Sequence, residues 1–283
     1  MKVQDLSKTM TQPTLEIITA KPQHKPNLQA WYRPTFSPEH GVYIVLFGSF
    51  LTGAALAQAW TLATTLAFIC GFCGFQAEYP LGVQLKQRRS IKPRFLVWGG
   101  LYGTIALSIA AWLYFHTPVL LWLYTGAIAA LIVDLIEIWR KQRKSIINEL
   151  VTFAAVCLSA PLAYAATTGN LTPEALGIWG LNTLYFSSSI FAVKLRKPKT
   201  NSIVPGGVYH AIATLIITGL YWFHCLSLVT AIAFTVALLK FALILWQLEW
   251  YCTAKIKYIA TLETVSALIF VAIVALSVLP AHL

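Results

Sequence analysis

Long apolar runs alternate with short polar connections along most of the chain. The runs are about 17 to 25 residues long, and roughly 20 residues of helix cross a hydrocarbon layer about 30 Å thick. Helices also satisfy their own backbone hydrogen bonds in lipid, and the sequence has no ten-residue alternating strands typical of a barrel. We therefore predict nine membrane-spanning helices, at approximately 41–58, 60–77, 95–115, 118–139, 147–167, 174–194, 207–223, 225–248 and 258–280.

The polar connections alternate in charge. Those after the first, third, fifth and seventh predicted helices are short and contain no Lys or Arg, whereas the N-terminal tail and the other connections are basic. Because Lys and Arg concentrate in the cytoplasmic loops of membrane proteins, the pattern predicts a cytoplasmic N-terminus and an external C-terminus. Only Lys240, inside the eighth predicted helix, falls outside this pattern.

The composition agrees with an all-α integral membrane protein. Of the 283 residues, 58% are hydrophobic and 11% are charged, whereas soluble domains have roughly a quarter of their residues charged. We predict a cytoplasmic N-terminal tail at 1–38, without the pattern of a cleaved signal peptide, and a single polytopic transmembrane domain at 39–283. The basic residues are confined to membrane-side loops, which argues against a nucleic-acid partner.

The five cysteines indicate neither a disulfide framework nor a redox site. Their number is odd, and most of them lie inside apolar runs. Cys70 and Cys73 have a thioredoxin-like spacing, but they occupy a predicted membrane helix, where free cysteine is an ordinary small core residue.

Acidic residues are scarce, so their positions are informative. Asp134 and Glu137 lie three residues apart near the cytoplasmic end of the fourth predicted helix, and Arg140 is three further on. This spacing fits a ladder of ion pairs, or Asp134 faces a polar cavity, as carboxylates in membrane helices usually do. Lys240 and Glu263 are intramembrane charges in adjacent predicted helices, but Glu263 lies closer to the cytoplasmic end than Lys240. The sequence therefore leaves open whether they pair, and a pair would serve packing as easily as function.

A second group of polar residues lies at the cytoplasmic ends of several predicted helices. Glu39 and His40 precede the first helix, Glu78 lies in the connection after the second, and Tyr209 and His210 begin the seventh. Helix capping or an interfacial position explains them singly. If the helices form a ring, these residues converge with Asp134 on one cytoplasmic pocket.

The order of helices and loops resembles the UbiA superfamily of intramembrane prenyltransferases. The segment RKSIINELVTFAAVCLSAPLAYAATTGNLTPEALGIWGLNTLYF, residues 143–186, is similar to that family's fifth and sixth helices with the turn between them. RSIKPRF stands where the family often has an Arg-Pro pair. The segment SPEHGVYIVLFGSFLTGAALA resembles the YwiC-like bacterial membrane proteins, whose first helix opens with Glu-His-Gly.

The UbiA resemblance implies a ring of helices and a Mg²⁺-held isoprenoid diphosphate, but the two Asp-rich motifs of that family are absent. Glu78 is the only acid in the first of the two loops, and the second loop has none. Mg²⁺ needs carboxylate ligands, so we predict no cofactor and no metal site. Arginines bind phosphate without metal, and Arg88, Arg89, Arg94 and Arg196 are the candidate head-group ligands, although the positive-inside rule alone also explains them.

Three functions remain open at this point. The first is a divergent, metal-independent prenyltransferase that handles an isoprenoid or related lipid with an anionic head group. The second is a non-catalytic protein that binds a membrane lipid, quinone or pigment and assists assembly of other membrane proteins. The third is a small transporter in which Asp134, Lys240 and Glu263 form a charged pathway.

Overall fold

The computed structural model describes residues 32–38, 40–87, 91–140, 145–197, 200 and 202–279. In this part of the chain there are twelve α-helices and no strand. The helices are α1 (His40–Ala57), α2 (Leu62–Lys86), α3 (Pro93–His116), α4 (Leu120–Trp139), α5 (Ile146–Cys157), α6 (Ser159–Thr168), α7 (Pro173–Leu195), α8 (Val204–Trp222), α9 (Leu228–Ile232), α10 (Thr235–Trp246), α11 (Leu248–Thr253) and α12 (Ile256–Val278).

These helices confirm a multi-pass α-helical membrane protein. In the described residues, eight segments are long and apolar enough to span a membrane, if α5 with α6 and α9 with α10 each count as one segment. Helix α1 is a shorter apolar helix. Each of the nine predicted spans therefore corresponds to a helix or helix pair, while the orientation in the membrane stays a prediction.

The span formed by α5 and α6 is broken at Leu158. Pro161 lies in the first turn of α6, and it has no N–H with which to continue the helical hydrogen bonding back to Cys157. The break is fastened to α1, because Ser159 Oγ donates to the Leu46 carbonyl at 3.2 Å and Ser49 Oγ donates to Cys157 Sγ at 3.4 Å. These contacts fix the two half-helices against α1.

Helix α1 packs against both halves of the molecule. It contacts α2, α5, α6 and α7, and it also lies along α12, so the first and last spans are neighbours. Helix α7 is the most buried span and packs against α5. The ring of Tyr185 in α7 stacks on Phe270 of α12, with 3.7 Å between the ring centroids. Asn182 Nδ2 donates to Thr52 Oγ1 at 2.8 Å and joins α7 to α1.

Helix α2 is longer than the sequence predicted. The second span was expected to end at residue 77, with Glu78 in a loop, but the helix continues to Lys86 with Pro80 inside it. Pro80 is buried, and α2 packs closely along α3 at Gly99, where a Cβ atom would lie 3.1 Å from the side chain of Leu81. Packing against α3 thus offsets the hydrogen bond that proline removes, and it places Glu78 in a helix.

Residues 32–38, the end of the predicted tail, pack on the helix ends. The backbone N–H of Ser37 donates to Gln76 Oε1 at 3.1 Å, and Gln76 Nε2 donates to the hydroxyl of Tyr43 at 2.8 Å. Arg94 donates to the carbonyls of Arg33 and Pro34 at 2.9 and 3.0 Å. This segment is therefore bound to α1, α2 and α3.

Candidate functional site

A cavity of about 580 Å³ lies between helices α2 to α6, with one residue of α1 in its wall. Its lining is predominantly apolar. Among the lining side chains are Leu46, Cys70, Phe75, Leu107, Tyr114, Leu121, Leu123, Tyr124, Ile128, Leu131, Val156, Leu158 and Leu162, together with several glycines and alanines. Its volume is in the range of about 300–1,000 Å³ that is typical of small-molecule sites.

Small residues at helical spacing create this space. Gly71 and Gly74 lie three residues apart on α2, and Ala106 and Ala110 lie four apart on α3. Residues three or four apart share one face of a helix, so these positions remove side-chain volume along one wall. A Cβ atom at Gly74 would meet no atom within 4 Å.

Two carboxylic acids, Glu78 and Asp134, line the cavity. Glu78 lies eight residues before Lys86 at the end of α2, and Asp134 lies five before Trp139 at the end of α4. At about 1.5 Å per residue, both acids are within roughly 12 Å of the helix ends that carry the basic connections. The cavity therefore has acidic groups toward that end, which we call the basic end of the bundle.

The position of Asp134 is fixed by the corner between α4 and α5. The buried amide of Asn148 donates from Nδ2 to Asp134 Oδ1 at 2.9 Å. Ser145 caps α5 by accepting from the backbone N–H of Asn148, and its hydroxyl donates to Glu137 at 3.1 Å. Of the two interpretations of Asp134, this geometry favours a buried acid at a cavity.

The residues that line the cavity run from Leu46 to Leu162. Residues 36–164 match the family model of the YwiC-like proteins. The resemblance predicted from the Glu-His-Gly start is thereby confirmed over this segment, which is a little under half of the chain. No curated protein and no solved structure matches the chain, and the resemblance to the UbiA superfamily stays a prediction.

The YwiC-like segment contains the whole described lining of the cavity. Its boundary falls inside α6, so α1 to α5 and most of α6 belong to it, while α7 to α12 follow it. The cavity is thus a property of the part of the molecule that this chain shares with the YwiC-like proteins.

The other predicted pocket residues do not meet at this cavity. Tyr209 lies in α8, where its hydroxyl donates to the Leu184 carbonyl at 2.7 Å and its ring stacks on Phe191. The imidazole of His210 stacks on Phe241 of α10 at 4.2 Å. Neither residue lines the cavity, because α8 packs beside α7 and α9.

Lys240 and Glu263 form an ion pair between α10 and α12. Lys240 Nζ lies 2.9 Å from Glu263 Oε2, and the two side chains are 4% and 23% exposed. Lys240 Nζ also lies 5.4 Å from the centre of the Tyr185 ring. The structure thus pairs these two charges, and the pair neutralises a cation that would otherwise be costly in a membrane span.

Two of the candidate head-group arginines contact backbone carbonyls instead of a shared site. Arg94 donates to residues 33 and 34, and Arg196 donates to the Ala254 carbonyl while its guanidinium lies 5.9 Å from the Tyr251 ring centre. These contacts are on different elements. Arg88, Arg89 and Glu39 lie outside the described residues, as does the side chain of His40.

The described residues do not fit the metal site that the UbiA resemblance implies. Within the ranges given above, no group of three His, Cys, Asp or Glu side chains is placed to hold a metal ion. Cys70 and Cys73 are free and buried, and Cys70 Sγ donates to the Ala106 carbonyl at 3.4 Å. We therefore assign no step to a metal and describe these cysteines as packing residues.

Proposed function

We propose that the YwiC-like segment binds the apolar chain of a membrane lipid inside the cavity between α2 and α6. The observation that carries this proposal is an apolar space of about 580 Å³ with its acidic groups toward one end. Apolar walls with a small number of oriented polar groups are typical of sites for amphiphilic ligands. The apolar chain of the lipid would lie along the glycine and alanine faces of α2 and α3, and the polar end of the lipid would lie near Glu78 and Asp134.

The lining indicates which kind of polar end fits. Glu78 and Asp134 line the described cavity, whereas no Lys or Arg of the described residues does. A carboxyl group forms hydrogen bonds with a hydroxyl group, whereas phosphate oxygens are bound by the Arg or Lys donors that the described lining lacks. The ligand class that fits is an isoprenoid-type lipid with a hydroxyl end, such as a prenol or a quinol.

The lining of the cavity favours lipid binding without catalysis over prenyl transfer. Of the candidate arginines, Arg94 and Arg196 are the two that the structure describes, and they donate to backbone carbonyls elsewhere and do not line the cavity. Transport by one charged pathway is also less favoured. Asp134 lies at the cavity, whereas Lys240 and Glu263 pair between α10 and α12.

Extraction of bound lipid tests the proposal. Protein purified in lipid nanodiscs is extracted with organic solvent, and the extract is compared with that of empty nanodiscs by mass spectrometry. We expect one isoprenoid-type hydroxylated lipid near one equivalent. Recovery of ordinary phospholipid would support lipid binding in the cavity but overturn the assignment of an isoprenoid ligand. Recovery of no bound lipid would overturn the lipid-binding function.

A matched pair of variants locates the ligand. Gly74→Leu adds a side chain in the cavity wall, whereas Gly100→Leu adds the same side chain on α3 at a glycine that does not line the cavity. We expect Gly74→Leu to lower bound lipid about tenfold, equivalent to about 1.4 kcal/mol, and Gly100→Leu to retain it. Pyrophosphate release from a prenyl diphosphate by the wild-type protein would contradict the non-catalytic proposal.

A further inference from the structure

The cavity is not enclosed equally on all sides. Helix α3 packs closely along α2, and α4 packs against α5, but α3 and α4 pack only loosely against each other. A short connection at residues 117–119 joins them. The wall of the cavity is therefore weakest between two helices that are consecutive in the chain.

Residues along this gap face the cavity and the outside of the bundle together. Leu107 of α3 and Ile128 of α4 both line the cavity, yet they are 72% and 56% exposed. Ala111 and Ala127 line the same space and are also exposed. Large exposure of cavity-lining residues on two facing helices that pack only loosely indicates an opening of the cavity between α3 and α4.

The opening lies at the level of the hydrocarbon layer. Tyr124 of α4 donates its hydroxyl to the Ala110 carbonyl of α3 at 3.2 Å and bridges the gap near the end opposite to the acids. From this bridge the two helices run antiparallel past Leu107 and Ile128 toward Asp134. Leu107 and Ile128 are near the middle of their spans, where lipid chains and not water surround the protein.

We infer that the gap between α3 and α4 is a lateral entrance through which the ligand exchanges with the bilayer. This inference rests on the proposed lipid-binding function and specifies the route by which the site is filled. The branched apolar side chains of Leu107 and Ile128 suit an entrance from the bilayer, because apolar side chains can face lipid without cost and large ones prevent close approach of the two helices. The ligand therefore reaches the site from within the membrane, with its polar end directed toward Glu78 and Asp134.

Exchange kinetics test the entrance separately from binding. Immobilised nanodiscs are loaded with deuterated geranylgeraniol and washed with empty phosphatidylcholine vesicles, and the lipid that remains is measured over time by mass spectrometry. Leu107→Trp narrows the gap between α3 and α4, and Ile128→Ala widens it. Leu101→Trp is the control, since Leu101 is an exposed leucine on the same helix that does not line the cavity.

The inference gives opposite signs for the two variants. We expect Leu107→Trp to slow release about tenfold, equivalent to about 1.4 kcal/mol in the barrier, and Ile128→Ala to accelerate it. Because Leu107 and Ile128 also line the cavity, occupancy after loading is measured for every variant, and the rate constant is taken from the fraction of initially bound lipid that remains. Leu101→Trp should leave both the occupancy and the rate constant unchanged. Equal rate constants in Leu107→Trp, Ile128→Ala and the wild type would overturn the entrance and leave the binding function intact, whereas an unoccupied wild type would overturn both.

Discussion

Replacement of Gly53 by alanine should destabilise the protein, although alanine is the better helix former. Gly53 is buried in α1 where this helix crosses α6, and a Cβ atom there would lie 1.9 Å from the Ala160 carbonyl oxygen and 2.6 Å from its carbon. Ordinary van der Waals contacts begin at 3.4 Å. The helices must therefore separate by more than an ångström, because the atom in the way belongs to the backbone.

The contacts around Gly53 also indicate how large the destabilisation by Gly53→Ala should be. Overpacking of this kind costs about 1–3 kcal/mol. Two hydrogen bonds hold α1 near this contact, from Ser159 to Leu46 at 3.2 Å and from Asn182 to Thr52 at 2.8 Å, and loss of either adds about 0.5–1.5 kcal/mol. Alanine returns about 1 kcal/mol of helix propensity. With one of these hydrogen bonds lost, we expect a net loss of about 0.5–3.5 kcal/mol in the free energy of unfolding.

The measurement is equilibrium unfolding in mixed micelles of increasing dodecyl sulfate, followed by circular dichroism. Gly103→Ala is the matched control, because Gly103 is inside α3 and a Cβ atom there meets nothing within 4 Å. That variant should be as stable as the wild type or up to about 1 kcal/mol more stable. Equal stability of the Gly53 and Gly103 variants would refute the close approach of α1 and α6.

Three further predictions concern polar contacts. Asn148→Leu removes the amide that donates to the buried Asp134 carboxylate and should cost about 1–3 kcal/mol in thermal unfolding; adding Asp134→Asn should recover part of this loss, and no recovery would argue against the contact. Lys240→Met leaves Glu263 without its cation and should cost roughly 3–5 kcal/mol, whereas the double variant with Glu263→Gln should be more stable than the single one in the same assay. Arg94→Gln removes two donors to the preceding segment and should accelerate proteolysis of residues 32–38, with unchanged cleavage counting against that anchor.

The acids of the site show how far local reasoning reaches. The scarcity of carboxylates singled out Glu78 and Asp134 in the sequence, and both line the cavity. Glu78 was nevertheless expected in a loop, because the apolar run of the second predicted helix ends at residue 77. Pro80, two residues after Glu78, is also unfavourable inside a helix. Packing of α2 along α3 overrides that preference, and a local pattern carries no information about this packing. Asn148, which orients Asp134, was not identified, since its only local signal is a position in the first turn of α5.

Tyr209 and His210 do not line the cavity for a related reason. Both residues lie near the basic end of the bundle, as predicted, but they are on α8, which packs against α7. A sequence determines the end of a bundle at which a residue lies, because each span crosses the membrane once. It does not determine which helices are neighbours.

The sequence by itself determined the membrane class, the approximate positions of the spans and the likeness to the YwiC-like proteins, because apolar length and short motifs are local properties. It also placed Lys240 and Glu263 in adjacent spans, where opposite charges have few other partners in lipid, but the tertiary structure shows that they pair. Only the tertiary structure decided that glycine and alanine faces of separate helices leave a common cavity, and that this cavity opens between α3 and α4. Cavities and entrances arise where helix surfaces fail to meet, and that depends on the arrangement of all the helices together.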